Sequence, residues 1–250
     1  MAGGGLAIAA AFGVWFWQTG SATSAEAASD AALAAGIDAQ EQKAIESIVR
    51  DYILNNPEII PEAVEILQNR QKASAIDQVR TAIETPFAGT AFAGNPDGDV
   101  TVVEFSDFAC PYCKQTDADL ARLIEEDKNI RVVFRELPIL SEASNEAALM
   151  ALAAAKQGKY YQFHRAMFAT GRPSPSTVNA AANEIGLDMD SARAFIASEE
   201  AQSEIQKNIE FAQQLRFTGT PAWVVGDQSQ VGAVGYEGLK EMIADARASN

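Results

Sequence analysis

The sequence predicts an α/β fold, a small mixed sheet covered by helices, with an α-helical arm in front of it. Three observations predict it. A β-branched run from Val100 to Phe105, a helix-period stretch from Cys110 to about Asp127 and an apolar run from Ile130 to Phe134 make a β-α-β unit, which implies a parallel strand pair. About residues 141 to 217 are Ala-rich and keep a helical period, broken at Gly158, at Gly171 to Pro175 and at Gly186, so three or four helices are inserted. Two short strands, Ala222 to Val225 and Gln230 to Val234, turn at Gly226 and Asp227 and lead into a closing helix from about Tyr236 to Ala246.

The elements ahead of the sheet are simpler. Leu6 to Trp17 is an apolar run of 12 residues, short of the ~30 Å of a bilayer core, and Gly20 to Ala25 are small. Residues 1–25 therefore read as a signal peptide, or as an uncleaved anchor, although Met1 to Gly5 carry no Lys or Arg. Residues 26–38 are Ala-rich and read as a linker. From Ala39, Ile45, Ile48, Val49, Tyr52 and Ile53 recur at helical spacing until Asn55, Asn56 and Pro57 break the run. A second helix is expected from Pro57 to about Glu84, with Ile60, Val64, Leu67, Ile76, Val79 and Ile83 as a narrow stripe on a polar rod. Such a pair, 39–84, cannot bury its stripe alone. Two partners are open to it: the chain's own larger domain, or copies of itself. Residues 85–98, rich in Gly and Pro, read as a linker before a domain spanning 99–250.

Composition narrows the function. The chain has 250 residues, 48% hydrophobic and 21% charged, enough for one domain of about 150 residues plus an appendage. With 34 acidic residues against 19 basic ones, the net charge is −15, which disfavours nucleic acid as a partner. The two cysteines, Cys110 and Cys113, and the single His164 do not fill a four-ligand structural zinc site. The chemistry expected of the pair is with each other. Cys110 falls where the first strand hands over to the helix, so the positive end of the helix dipole and free N–H groups stabilise its thiolate. Cys113, one turn further in, is more shielded. The asymmetry assigns Cys110 to exchange with a client and Cys113 to resolve the mixed disulfide. Pro111 between them is tolerated because first-turn N–H groups have no intrahelical partner. A C-x-x-C pair can also capture a soft ion, so a Cu(I)-binding carrier stands as the alternative.

With these motifs in view, the sequence resembles the thioredoxin fold in its DsbA-like form over about residues 91 to 250. The likeness is carried by Gly94-Asn95-Pro96-Asp97-Gly98-Asp99-Val100, by Val103-Glu104-Phe105-Ser106-Asp107-Phe108-Ala109-Cys110-Pro111-Tyr112-Cys113-Lys114 and by Gly219-Thr220-Pro221-Ala222. Asp51-Tyr52-Ile53-Leu54-Asn55-Asn56-Pro57-Glu58 is similar to the arm of ScsC-like, copper-tolerance-associated disulfide isomerases. That resemblance tips the 39–84 helices toward self-association as dimer or trimer.

It also implies roles. Pro221 resembles the cis-proline beside the active disulfide, leaving the Thr220 backbone to pair with an extended client; Pro111 and Tyr112 border the same surface. Glu104 matches a buried carboxylate that takes a proton from Cys113; the competing reading pairs it with Arg135 or Lys114. His164 reads as a helix-surface residue of the insert and stays outside the site. Tyr112 stands where the strongest oxidants of the family carry histidine, which implies a milder oxidant suited to isomerisation. The implied protein is a periplasmic disulfide oxidoreductase acting on cysteine-containing clients, with no cofactor beyond its thiols and a membrane partner that resets them. A periplasmic reductase is the further alternative.

Overall fold

The computed structural model describes residues 34–249. The predicted leader, 1–25, and most of the 26–38 linker lie outside the described residues. The chain divides into two compact units with the boundary between Ala63 and Val64.

In the first unit, helix α1 (Ala39–Asn55) opens on a capping box the sequence reading passed over. Asp38 Oδ1 accepts from the N–H groups of Gln40 and Glu41 at 2.7 and 2.9 Å, and Glu41 Oε2 accepts from the Asp38 N–H at 3.0 Å. Its apolar side chains Ile45, Ile48, Val49, Tyr52 and Leu54 are exposed. Helix α2 (Ile59–Glu84) begins in this unit and ends in the other.

In the second unit, a short 3₁₀ turn (Phe87–Gly89) leads to β1 (Phe92–Gly94), β2 (Val100–Ser106), α3 (Pro111–Glu126) and β3 (Ile130–Glu136). Five helices follow: α4 (Glu142–Lys156), α5 (Tyr160–Thr170), α6 (Pro175–Glu184), α7 (Met189–Ile196) and α8 (Glu199–Gln214). The chain closes with β4 (Ala222–Val225), β5 (Gln228–Val231) and α9 (Gly235–Ser249). The sheet order is β1-β3-β2-β4-β5, with β2 and β3 parallel and the other neighbours antiparallel. This is the mixed α/β sheet expected. The insert holds five helices instead of three or four, because Ser198 caps α8 directly after α7 without a glycine or proline to mark the break. The 85–98 joint is also more than a linker, since β1 pairs with β3; three residues are too few to show a period. Gly98 is required where that joint crosses β3: a Cβ there would stand 2.6 Å from the Asn129 carbonyl oxygen.

Strand pleat sorts the side chains. Val100 and Val102 of β2, Ile130, Val132 and Phe134 of β3, and Trp223 and Val225 of β4 join α3, α4, α5 and α9 in one core. The alternate residues Val103, Phe105, Val133, Ala222 and Val224 form the opposite core with Ile76, Val79 and Ile83 of α2. The structure thus divides the 39–84 helix pair. Ile76, Val79 and Ile83 pack on the chain's own sheet, while Ile60, Val64 and Leu67 of the same stripe are exposed. Arg135 fixes the junction: its guanidinium donates to the carbonyls of Ile83 (3.0 Å), Thr85 (2.6 Å) and Ala82 at the α2 carboxyl end and to Glu204 Oε1 at 2.9 Å.

Removing the buried methyl groups at Ile76 or Ile83 is therefore expected to cost about 2–5 kcal/mol as Ile→Ala. Glu65→Ala, on the exposed part of the helix, should stay within about 0.5 kcal/mol. Urea unfolding monitored by tryptophan fluorescence measures both. Equal small effects at all three sites would mean that α2 is not part of the domain core.

Candidate active site

β2 delivers the site through its pleat. Position 104 shares its face with Val100 and Val102, so Glu104 points to the side under α3, between Phe134 of β3 and Trp223 of β4 in register. The carboxyl is 1% exposed, and its Oε2 has no hydrogen-bond partner among the described residues. Arg135, on the alternate face, is held by Glu204 and the α2 carbonyls and is no partner for it.

After β2 the chain turns at Asp107. One carboxylate oxygen accepts from the Ala109 N–H at 2.8 Å, and the backbone oxygen accepts from the Cys110 N–H at 2.9 Å. The other carboxylate oxygen accepts from the N–H groups of Ile139 and Leu140 at 2.9 and 3.0 Å, tying the loop after β3 to the same turn. Cys110 is then the N-cap of α3, in extended conformation, with Pro111 at the first helical position. Both cysteines are free thiols. The Cys110 thiol is 4% exposed and donates to the Thr220 carbonyl at 3.2 Å. The following Thr220–Pro221 bond is cis, and the Pro221 carbonyl accepts from Gly232 N–H at 2.7 Å. Cys113 is wholly buried one turn along, whereas Pro111 is exposed and Tyr112 is 60% exposed at the rim.

The electrostatics follow from burial. Desolvation, reinforced by the charges of Asp117 and Cys110, pushes the Glu104 carboxyl from its ordinary 4.5 up to about 8. Burial and the neighbouring Glu104 raise the Cys113 thiol far above its ordinary range. Glu136, two residues past Phe134 on the Glu104 face, is likewise pushed up by burial and accepts a hydrogen bond from Tyr160 at 2.5 Å.

Sequence reasoning missed two residues here. Asp117 lies one turn beyond Cys113 on the buried face of α3, and Arg165 donates to its carboxylate. His164 is buried, not on a helix surface: with Tyr160, Phe163, Met167 and Phe168 it forms the inward stripe of α5. Both were legible as i, i+4 continuations of stripes already drawn, Cys113 to Asp117 and Tyr160 to His164. A titratable residue inside an apolar stripe was read as solvent-facing by its chemistry instead of by its phase.

A dithiol at a helix N-terminus, backed by a buried carboxylate and facing a cis-proline turn, defines the class of thioredoxin-fold thiol–disulfide proteins. The chain belongs to the family of DSBA-like thioredoxin domains, which it matches over residues 101–244. Residues 41–74 match the copper resistance protein ScsC N-terminal domain. Among solved structures, it is similar to a thioredoxin-like oxidoreductase from Silicibacter pomeroyi DSS-3, with 41% identity, a TM-score of 0.62 and coverage of 64% of this chain and 92% of that one. A linker-deletion mutant of Proteus mirabilis ScsC shares 25% identity at a TM-score of 0.66, over 86% of this chain and 98% of that one. A Na(+)/H(+) antiporter, NhaA 1 of Salinispora arenicola, is 31% identical over 158 residues. The chain spans 24% of that protein's length, so the likeness is to one part of it.

The raised Glu104 carboxyl makes stability depend on pH with a definite sign. Between about 4.5 and about 8 the folded state holds a proton that the unfolded state has lost, so stability falls as pH rises through that window. Replacing the group by Glu104→Gln removes this dependence. In urea titrations of the reduced protein, the variant is expected to gain about 2–5 kcal/mol on its parent between pH ~5 and pH ~9. Parallel pH profiles for the two proteins would contradict the assignment.

Proposed function

We propose that the chain is an exported thiol:disulfide oxidoreductase that forms or isomerises disulfides in cysteine-containing periplasmic proteins. The observation that carries this reading is the burial of Glu104 beside Cys113, directly behind an N-cap cysteine whose thiol faces the Thr220 carbonyl. Cys110 is the exchanging sulfur. Its thiolate attacks a client disulfide, one client sulfur leaves with the electron pair, and a mixed disulfide forms. In isomerisation the freed client thiolate attacks elsewhere in the client, and a later client thiolate returns to expel Cys110. In resolution Cys113 gives its proton to Glu104 and attacks the Cys110 sulfur; the Cys110–Cys113 bond forms, the bond to the client breaks, and the client thiolate departs reduced. Oxidation of a client dithiol runs these steps in reverse: a client thiolate attacks Cys110 of the disulfide, Cys113 leaves and is protonated, and the second client thiolate expels Cys110. A carboxyl raised to about 8 lies closer to a thiol than an ordinary carboxylate does, which makes it the better acceptor for that proton.

Clients are received at Thr220, whose backbone beside Pro221 pairs with an extended segment, and by the rim of Pro111 and Tyr112. Ile139 and Leu140, exposed and tied to the Asp107 turn, extend that rim with apolar surface. The exposed stripe from Ile45 to Leu67 and the ScsC-like match over 41–74 support self-association through the arm. An oligomer with separate active sites and no histidine at position 112 favours isomerisation over strong oxidation. A membrane redox partner resets the thiols, and no further cofactor enters.

Recovery of ribonuclease activity from the scrambled enzyme tests the reading. Cys110→Ser is expected to abolish turnover, and Cys113→Ser to accumulate mixed disulfides with clients. Stoichiometric Cu(I) binding without turnover would favour the carrier instead. Light scattering of the intact chain should give a multiple of the single-chain mass, reduced to one chain in the double variant Val49→Lys, Ile60→Lys. A parent already of single-chain mass removes the oligomer from this proposal.

A further inference from the structure

His164 is the only histidine in the sequence, and it is 1% exposed. Its ring packs against Phe134, Phe168 and Phe108, with centroids at 4.5, 4.9 and 5.7 Å. Nε2 stands 3.4 Å from Asp117 Oδ1, a contact of charge and dipole without the alignment of a hydrogen bond. Neither ring nitrogen has a hydrogen-bond partner among the described residues, and the same holds for Asp117 Oδ1 and Glu104 Oε2. Each such buried atom costs about 1–3 kcal/mol, and a leucine at 164 would fill the aromatic box without that cost. Packing does not account for an imidazole here.

The three residues form a sequence from the dithiol outward. Cys113 and Asp117 are i, i+4 neighbours on the buried face of α3. Phe134, which carries the His164 ring, is the cross-strand neighbour of Glu104. Asp117 Oδ2 accepts from Arg165, whose side chain is 44% exposed and marks the solvent end of the cluster. Glu104 is enclosed by the sheet and α3 and is protonated near pH 7, so its proton needs a way out before it can take the one from Cys113.

We propose that His164 and Asp117 are that outlet, positioning residues that carry the proton from Glu104 to solvent beside Arg165. The inference rests on the reading of Glu104 as acceptor of the Cys113 proton. Before resolution Glu104 holds a proton as a neutral acid near pH 7. The neutral imidazole takes it, becoming an imidazolium beside the Asp117 carboxylate, and releases it to solvent; one proton leaves and no electron moves. The groups around His164 suit this. Burial holds its imidazole below the ordinary range, so it is neutral and able to accept near pH 7. Arg165 and His164 outweigh burial at Asp117 and hold that carboxyl below its ordinary range, so it stays charged. Tyr160 and Tyr161 on α5 are held above the usual range by burial and stay neutral, and Glu136 on β3 is bonded to Tyr160.

The test is stopped-flow measurement of the two half-reactions across pH: attack of the reduced Cys110 on a client disulfide, and resolution by Cys113 of a mixed disulfide preformed on Cys110. His164→Leu and His164→Gln are both expected to slow resolution about tenfold relative to the first half-reaction and to flatten its rise with pH. The glutamine separates the roles, since it hydrogen-bonds Asp117 but carries no proton; a structural role would be restored by it. Where a His164 variant fails to fold, Asp117→Asn keeps the side-chain shape and should show the same slowing. A folded His164→Gln or Asp117→Asn protein with the parent's resolution rate and pH profile overturns the outlet. If Glu104→Gln also resolves at the parent rate, the acceptor reading falls with it; if Glu104→Gln is slow, that reading stands and only the outlet is lost.

Discussion

Desolvation of Glu104 is the constraint around which the site is organised. The carboxyl lies on a central strand between Phe134 and Trp223, where an ionised group loses nearly all of its hydration. The domain tolerates this because β2 is buried along nearly its whole length, so the register that buries Val100 and Val102 buries position 104 as well. A slip of one residue would turn Glu104, Val100 and Val102 to the face packed against α2 and bring Val103 and Phe105 under α3. The acid is therefore held in place by the hydrophobic pattern of its own strand, not by a polar partner. Its raised proton affinity is a consequence of that register.

The same pleat explains the opposite face. Arg135, one residue after Phe134, is directed away from the dithiol and toward the end of α2. A buried guanidinium is costly unless its donors are filled, and three backbone carbonyls and Glu204 fill them. Those carbonyls are ones that a helix end leaves unpaired. One cation thus satisfies a helix terminus and a buried acid together, and it fixes α2 to the sheet through residues 76–85. The apolar side chains between Ile45 and Leu67 have no such anchorage and remain exposed.

Strand, helix and turn identities near the cysteines were legible because each carried a local signal: β-branched runs for β2 and β3, a proline behind an N-cap for α3, and a glycine-bounded hairpin for β4 and β5. The residues of the candidate site could be gathered from the sequence to the same extent, since Cys110, Pro111, Tyr112, Cys113, Thr220 and Pro221 lie within two short motifs and Glu104 lies in the strand feeding one of them. What escaped was set by long-range contact. That the α2 stripe meets its own sheet depends on contacts such as Arg135, some 50 residues away in sequence, and only the half from Ile76 to Ile83 does so. His164 was misassigned because its neighbours were read for composition, while Tyr160, Phe163, Met167 and Phe168 already marked its face as internal. β1 is too short for any periodic signal.

In the proposed reaction, the lifetime of the mixed disulfide decides between reductase and isomerase, and two features lengthen it. Cys113 is enclosed, with its thiol raised by burial and by Glu104, so it does not attack until its proton has been moved. Position 112 holds an exposed tyrosine, which contributes ring surface to the rim and no imidazole donor to the Cys110 sulfur. A slow escape gives a bound client time to exchange its own sulfurs, whereas a fast one would release it after a single exchange. The burial that makes Glu104 expensive to the fold thus also governs how long Cys110 remains attached to its client.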